Sequence, residues 1–199
     1  MKHAFSLLLL LGFLSVPVTL AARSPVAIGR SVPAFTLPDT TGQGRSLAEF
    51  RGRPVAVFFF CGCVPCHDFA RLWAQAQQNG DLGTGKLEVG KQVSTAIVFA
   101  GERRAALSFA EETRLDLTRT LVLLDPADEI SQRFNVQQCP RVFVLDPMGH
   151  LTYSNFEAKL PAYSNFEAKL PAPVLISRVL TAWRSLSSVS GTAQKRKRP

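Results

Sequence analysis

The sequence predicts an α/β sandwich, with helices flanking one mixed β-sheet. Three observations carry this. Apolar runs of β type alternate with amphipathic stretches of helical spacing. Further on, two short runs joined by Pro147-Met148-Gly149-His150 read as a hairpin, followed by one last amphipathic stretch. Three of the chain's 4 cysteines fall in Cys61-Gly62-Cys63-Val64-Pro65-Cys66, where an apolar run hands over to a helix.

In chain order, Ser31 to Gly42 predicts a brief strand closed by a turn. Ser46, with Glu49 three residues on, has the form of a capping box on a short helical turn. Pro54 to Phe60 is continuously apolar, as in a strand buried on both faces. Phe69, Leu72, Trp73 and Ala76 then recur at helical spacing, up to the glycine-rich stretch Asn79 to Gly90. Val93 to Ala100 predicts a second buried strand, Glu102 to Leu115 a helix, and Thr120 to Asp125 a third strand. Pro126 sits where proline favours a helix start, predicting a helix to about Phe134. Val142 to Asp146 and Leu151 to Phe156 form the hairpin, and Val174 to Leu186 the last helix.

Composition is that of a globular protein, with 46% hydrophobic residues and a net charge of +8. Part of that charge is the terminal Lys195-Arg196-Lys197-Arg198. No aromatic residues interleave with it, so residues 187–199 read as a solvated basic tail rather than a nucleic-acid contact. Residues 1–22 carry Lys2 and His3, a leucine-rich stretch from Ala4 to Leu20, and small residues up to Ala21. That pattern predicts a signal peptide or an N-terminal membrane anchor, hence export to a periplasmic or other extracytoplasmic compartment. No cysteine follows the apolar stretch, which excludes a lipoprotein anchor. Tyr153 to Ala162 is repeated identically as Tyr163 to Ala172. Two such short copies are too few for a solenoid and read as a duplication in a surface connection.

The chemistry concentrates in the cysteines. Cys63-Val64-Pro65-Cys66 at a strand-to-helix junction reads as a redox dithiol, against the plainer reading of a structural disulfide. The first helical turn offers unpaired N–H groups and the positive end of the dipole, which favour a thiolate on Cys63. Cys139, directly before Pro140, is either a third thiol that resolves a mixed disulfide or shields Cys63, or a small buried filler. Cys61 reads as filler ahead of a redox role. Cys63 to His67 also spells the c-type haem attachment pattern, with Met148 or His150 as the distal ligand. Four cysteines at one site allow a tetrathiolate zinc or iron–sulfur reading as well. The preceding buried strand and the later Cys-Pro weigh against haem, and Cys61-x-Cys63 is an unusual ligand spacing. The expectation is therefore no metal and no cofactor.

These residues together resemble the redoxin (AhpC/TSA, peroxiredoxin-like) branch of the thioredoxin-like superfamily. The resemblance rests on Pro33-x-Phe35-x-Leu37-x-Asp39-x-x-Gly42, on Gly52-Arg53-Pro54, on Cys63 to Cys66, and on Cys139-Pro140 with Val142 to Asp146 and Gly149. It covers about residues 27–186. It implies a thioredoxin-like three-layer sandwich, with Cys63 as nucleophile, Cys66 as resolving thiol and Pro140 cis. The loop at Cys139 and Pro140 would bind substrate. Implied too is an exported thiol–disulfide oxidoreductase serving redox homeostasis, with protein thiols and disulfides as partners and an unassigned upstream reductant. An antioxidant thiol peroxidase acting on a peroxide is the alternative.

The departures from the family matter. Gly62 stands where these reductases usually carry Trp, and Val57 and Phe69 stand where they carry acidic proton acceptors. His67 and Asp68, on the first helical turn, are the substitutes for proton transfer. The position three residues before Cys66, where peroxiredoxins keep Thr or Ser, is Cys63, which argues against peroxidase activity.

Overall fold

The computed structural model describes residues 26–79, 95–155 and 170–195, with the side chains of the last helix to Leu186. The signal-like segment, the glycine-rich stretch and residues 156–169 of the repeat are outside the described residues.

Strands β1 (Thr36–Pro38) and β2 (Gly44–Ser46) form a small antiparallel hairpin. The Asp39 carboxylate closes its turn by accepting from the Thr41 and Gln43 amides at 2.8 and 3.1 Å. A 3-10 turn, Leu47–Phe50, follows with the capping box in place: Ser46 accepts from Ala48, and Glu49 reaches back to the Ser46 amide at 2.8 Å. The central sheet is built from β3 (Val55–Phe60), β4 (Thr95–Phe99), β5 (Thr120–Leu124), β6 (Arg141–Leu145) and β7 (Leu151–Ser154). Its order is β5-β4-β3-β6-β7. β3 runs parallel to β4 and antiparallel to β6, so the sheet is mixed.

Side-chain alternation along β3 divides the core in two. Ala56, Phe58 and Phe60 face the helices α1 (Val64–Gln78), α2 (Arg103–Thr113) and α4 (Ala172–Lys195). Val55, Val57 and Phe59 face Phe35, Phe50 and the short helix α3 (Glu129–Arg133). This is the three-layer thioredoxin-like sandwich. α1 is fixed by Phe58 and Phe69 edge-on at 5.1 Å and by Trp73 against Phe58 at 4.8 Å. Two buried bonds tie it to strand starts: Trp73 Nε1 donates to Thr95 at 3.1 Å, and Gln77 Nε2 to Thr120 at 3.0 Å.

Two expectations are corrected. Pro126 does not open a helix: Pro126–Ala127 is a turn, Asp128 is left-handed at φ 56°, and α3 starts at Glu129. The cause is Asp125, whose buried carboxylate accepts from the Ile130 and Ser131 amides at 3.3 and 2.9 Å and so draws the helix start past the proline. The last helix does not stop at Leu186 but continues to Lys195, through the start of the segment read as a tail.

Candidate functional site

β3 ends at Phe60, and the chain turns at Gly62 with φ +76°. An added Cβ there would meet the Phe99 ring at 3.5 Å. That is an ordinary contact distance, so it is the left-handed backbone that makes a side chain here, such as the tryptophan usual in the related reductases, a strained replacement for glycine. Cys63 is the N-cap of α1, and its carbonyl accepts the first helical bond, from His67 N at 3.1 Å. Val64 and Pro65 fill the first two helical positions, where the missing proline N–H costs nothing. Cys66 falls at the third. This spacing brings the Cys63 and Cys66 sulfurs to 3.4 Å, with Cys63 half-buried and Cys66 fully buried. Val64 between them is 72% exposed.

The second part of the site comes from β6. The Cys139–Pro140 bond is cis. Phe59 pairs with Arg141 across the antiparallel β3–β6 ladder, so continuing that register two residues beyond the last pair carries Cys139 toward Cys61. Cys139 also packs against the same core cluster as Cys63 and Cys66. The loop is held from β7's end by Asn155, which is 1% exposed. Asn155 Nδ2 donates to the Pro140 carbonyl at 2.9 Å, and its Oδ1 accepts from the Val142 amide at 2.9 Å.

Four thiols thus share one end of the sheet. The sulfurs of Cys61, Cys63 and Cys66 all come within 4.8 Å of one another, and these are the residues that could hold a soft metal ion. Their ionisation is strongly differentiated. The hydrogen bond between Cys66 and Cys139 favours the anion on Cys139 and opposes it on Cys66. Cys139 is drawn down to about 7, by Cys66 first and against the cost of burial, with Cys61 adding to the effect. Cys66 is pushed far up, by Cys139 and then by burial. Cys61, although exposed as a residue, is pushed up to about 12, chiefly by desolvation.

His67 and Asp68 are on the first turn of α1 but are engaged elsewhere. His67 Nδ1 faces Glu112 at 3.6 Å, its ring edge-on to Phe109, and Asp68 pairs with Arg71 at 3.5 Å. At the positions of the missing acids, Val57 and Phe69 are core residues. The distal ligands named for the haem reading do not come to the dithiol. Val55 pairs with Leu145, so the turn bearing Met148 and His150 lies at the opposite end of β3 from the dithiol, a strand length of about 17–20 Å away. His150 is moreover bonded to Asp146 at 3.2 Å.

Sequence reasoning missed two residues. Asn155 was hidden in the repeat, where it read as part of a duplicated connection. Arg141 is buried beside the loop with its guanidinium 4.9 Å from the centre of the Phe143 ring, and desolvation brings it down to about 9. An arginine in an otherwise apolar run directly after Cys-Pro was the available signal.

A model of the AhpC/TSA family matches residues 28–154. The thiol-disulfide oxidoreductase ResA of Geobacillus kaustophilus is 27% identical over 159 residues, covering 76% of this chain and 83% of that protein. ResA of Geobacillus thermodenitrificans is 28% identical over 157 residues, covering 75% and 82%. Among solved structures, peroxidoxin BcpB from Mycobacterium tuberculosis superposes with a TM-score of 0.57 at 19% identity, over 80% of this chain and 97% of that one. The thioredoxin domain of a thiol-disulfide oxidoreductase from Bacteroides vulgatus gives 0.51 at 18% identity, over 70% and 93%.

Proposed function

This chain belongs to the AhpC/TSA family, and from that membership we propose that it is a thiol–disulfide oxidoreductase in which Cys63 and Cys66 exchange dithiol for disulfide with protein partners. The observation that carries the reading is the placement of two sulfurs 3.4 Å apart across the first turn of α1, one half-buried and one fully buried. Cys63, half-buried at the N-cap while Cys66 is buried, is the sulfur a partner reaches, so it is the one that attacks. The mixed disulfide forms at Cys63, and Cys66 then attacks the Cys63 sulfur and releases the substrate thiol. His67 and Asp68 serve proton transfer in this proposal, each first released from Glu112 or Arg71. A polypeptide docks across exposed Val64 and against the Cys139–Pro140 loop, where an extended backbone can run beside the dithiol. The basic start and leucine-rich stretch of residues 1–22 support an exported domain, soluble or membrane-anchored, in this reading.

A trapping experiment tests this. The Cys66→Ala variant, mixed with a protein carrying an accessible disulfide, should accumulate a mixed disulfide that mass mapping assigns to Cys63. The Cys63→Ala variant should accumulate none. Absence of the adduct overturns the reading. Consumption of hydrogen peroxide with the first oxidation on Cys66 would reverse the two roles and make the protein a thiol peroxidase.

A further inference from the structure

We propose that Cys139 is a third redox-active cysteine, which moves the disulfide inward from Cys63–Cys66 to Cys66–Cys139 and returns Cys63 as a free thiolate. This deepens the dithiol reading and rests on it. A dithiol needs two sulfurs, and this end of the sheet carries more: the sulfurs of Cys61, Cys63 and Cys66 lie within 4.8 Å of one another, and Cys139 packs against the same core cluster. The inner sulfur, Cys66, is 0% exposed, so a thiol from solvent or from a partner does not reach it. Its neighbours inside the protein are the thiols of Cys139 and Cys61. Of these, Cys139 packs against the core cluster that contains Cys66 and is carried on a loop held at both Pro140 and Val142 by Asn155.

The step balances within the chain. The Cys139 thiolate attacks the Cys66 sulfur, the Cys66–Cys139 bond forms, and the Cys63–Cys66 bond breaks. The electron pair leaves with the Cys63 sulfur, which becomes a thiolate at the N-cap of α1. The protein stays oxidised by two electrons throughout, and no outside oxidant or reductant takes part. In the shifted state Cys63 has no resolving partner. A mixed disulfide that it forms is then released by the substrate's own second thiol. The outcome is rearrangement of a substrate disulfide instead of net electron transfer, and the substrate class is a protein with two or more cysteines.

The test uses the full chain. A Cys63→Ser variant, reduced and then oxidised with diamide, should give a Cys66–Cys139 linkage on non-reducing peptide mapping. Cys66 left free, or joined to Cys61, overturns the proposal. In the diamide-oxidised wild-type protein, Cys63 should alkylate at least tenfold faster than in oxidised Cys139→Ser, because the relay frees it only when Cys139 is present. Equal rates overturn the relay whether or not the first variant folds. If mapping of Cys139→Ser shows no Cys63–Cys66 linkage, the dithiol reading itself has failed, which separates the two claims.

Discussion

Cys139 and Cys66 divide one interaction unequally, and the division decides which of the two ionises first in the reduced protein. The hydrogen bond between them stabilises an anion on Cys139 and penalises one on Cys66, so a single negative charge resides on the residue before Pro140. Below about pH 7 Cys139 carries its proton and is inert; above it the thiolate dominates. Alkylation of the reduced protein, followed site by site by mass spectrometry, should show Cys139 reacting with an inflection near 7. In Cys66→Ala that inflection should move upward, since the largest contribution holding it down is removed while burial remains. An unchanged inflection would mean that the loop, not Cys66, activates the thiol. Gly62 makes a complementary point. Its positive φ is a conformation that glycine adopts without strain and a side chain does not.

The elements around the site were legible to different degrees, for physical reasons. β3, β4 and α1 followed from periodicity because buried strands and amphipathic helices write their burial directly into the order of apolar residues. The capping box at Ser46 and Glu49 was readable because both partners are local. The start of α3 was not: the deciding contact is the side chain of Asp125 bonding five and six residues ahead, which outweighs the local preference of Pro126. The dithiol was legible as a motif, and Cys139 as a candidate third thiol through the family resemblance, but its placement depends on the β3–β6 register, a long-range pairing that no local pattern encodes. Asn155 is the clearest case. It is a polar residue just past the end of an edge strand, and its role exists only because β7 places it against β6. Replacing it with Ala leaves the Pro140 carbonyl and the Val142 amide without this partner in a buried setting. The cost should be about 1–3 kcal/mol by denaturant unfolding. The variant should also lose reactivity at Cys139 more than at Cys63, since only the loop loses its support.

At the scale of the whole molecule, the sandwich separates what is constrained from what is free to vary. The site is assembled at one end of the sheet from β3, α1 and β6, while the connection from 155 to 171, between β7 and α4, carries the repeat. Deleting Tyr163 to Ala172 leaves Ala162 directly before Pro173, so α4 keeps its first two residues. Roughly halving the connection should change stability by only about 0.6 kcal/mol, in favour of the shorter chain. The melting temperature should therefore hold or rise by about 2 °C. Loss of cooperative melting in the deletion variant would show that the second copy belongs to the core.

Because the two copies are identical, removing either one yields the same polypeptide. Leu151 and Thr152 always precede the first copy, and buried Leu151, whose amide donates to Arg30 at 2.9 Å, fixes which Tyr-Ser-Asn completes the strand. A second copy offers Pro161 and Ala162 in that place, and proline has no amide to donate. One unit or three in place of two would thus leave the Asn155 contacts as they are. Any change of this connection by whole units therefore keeps the clamp on the thiol loop.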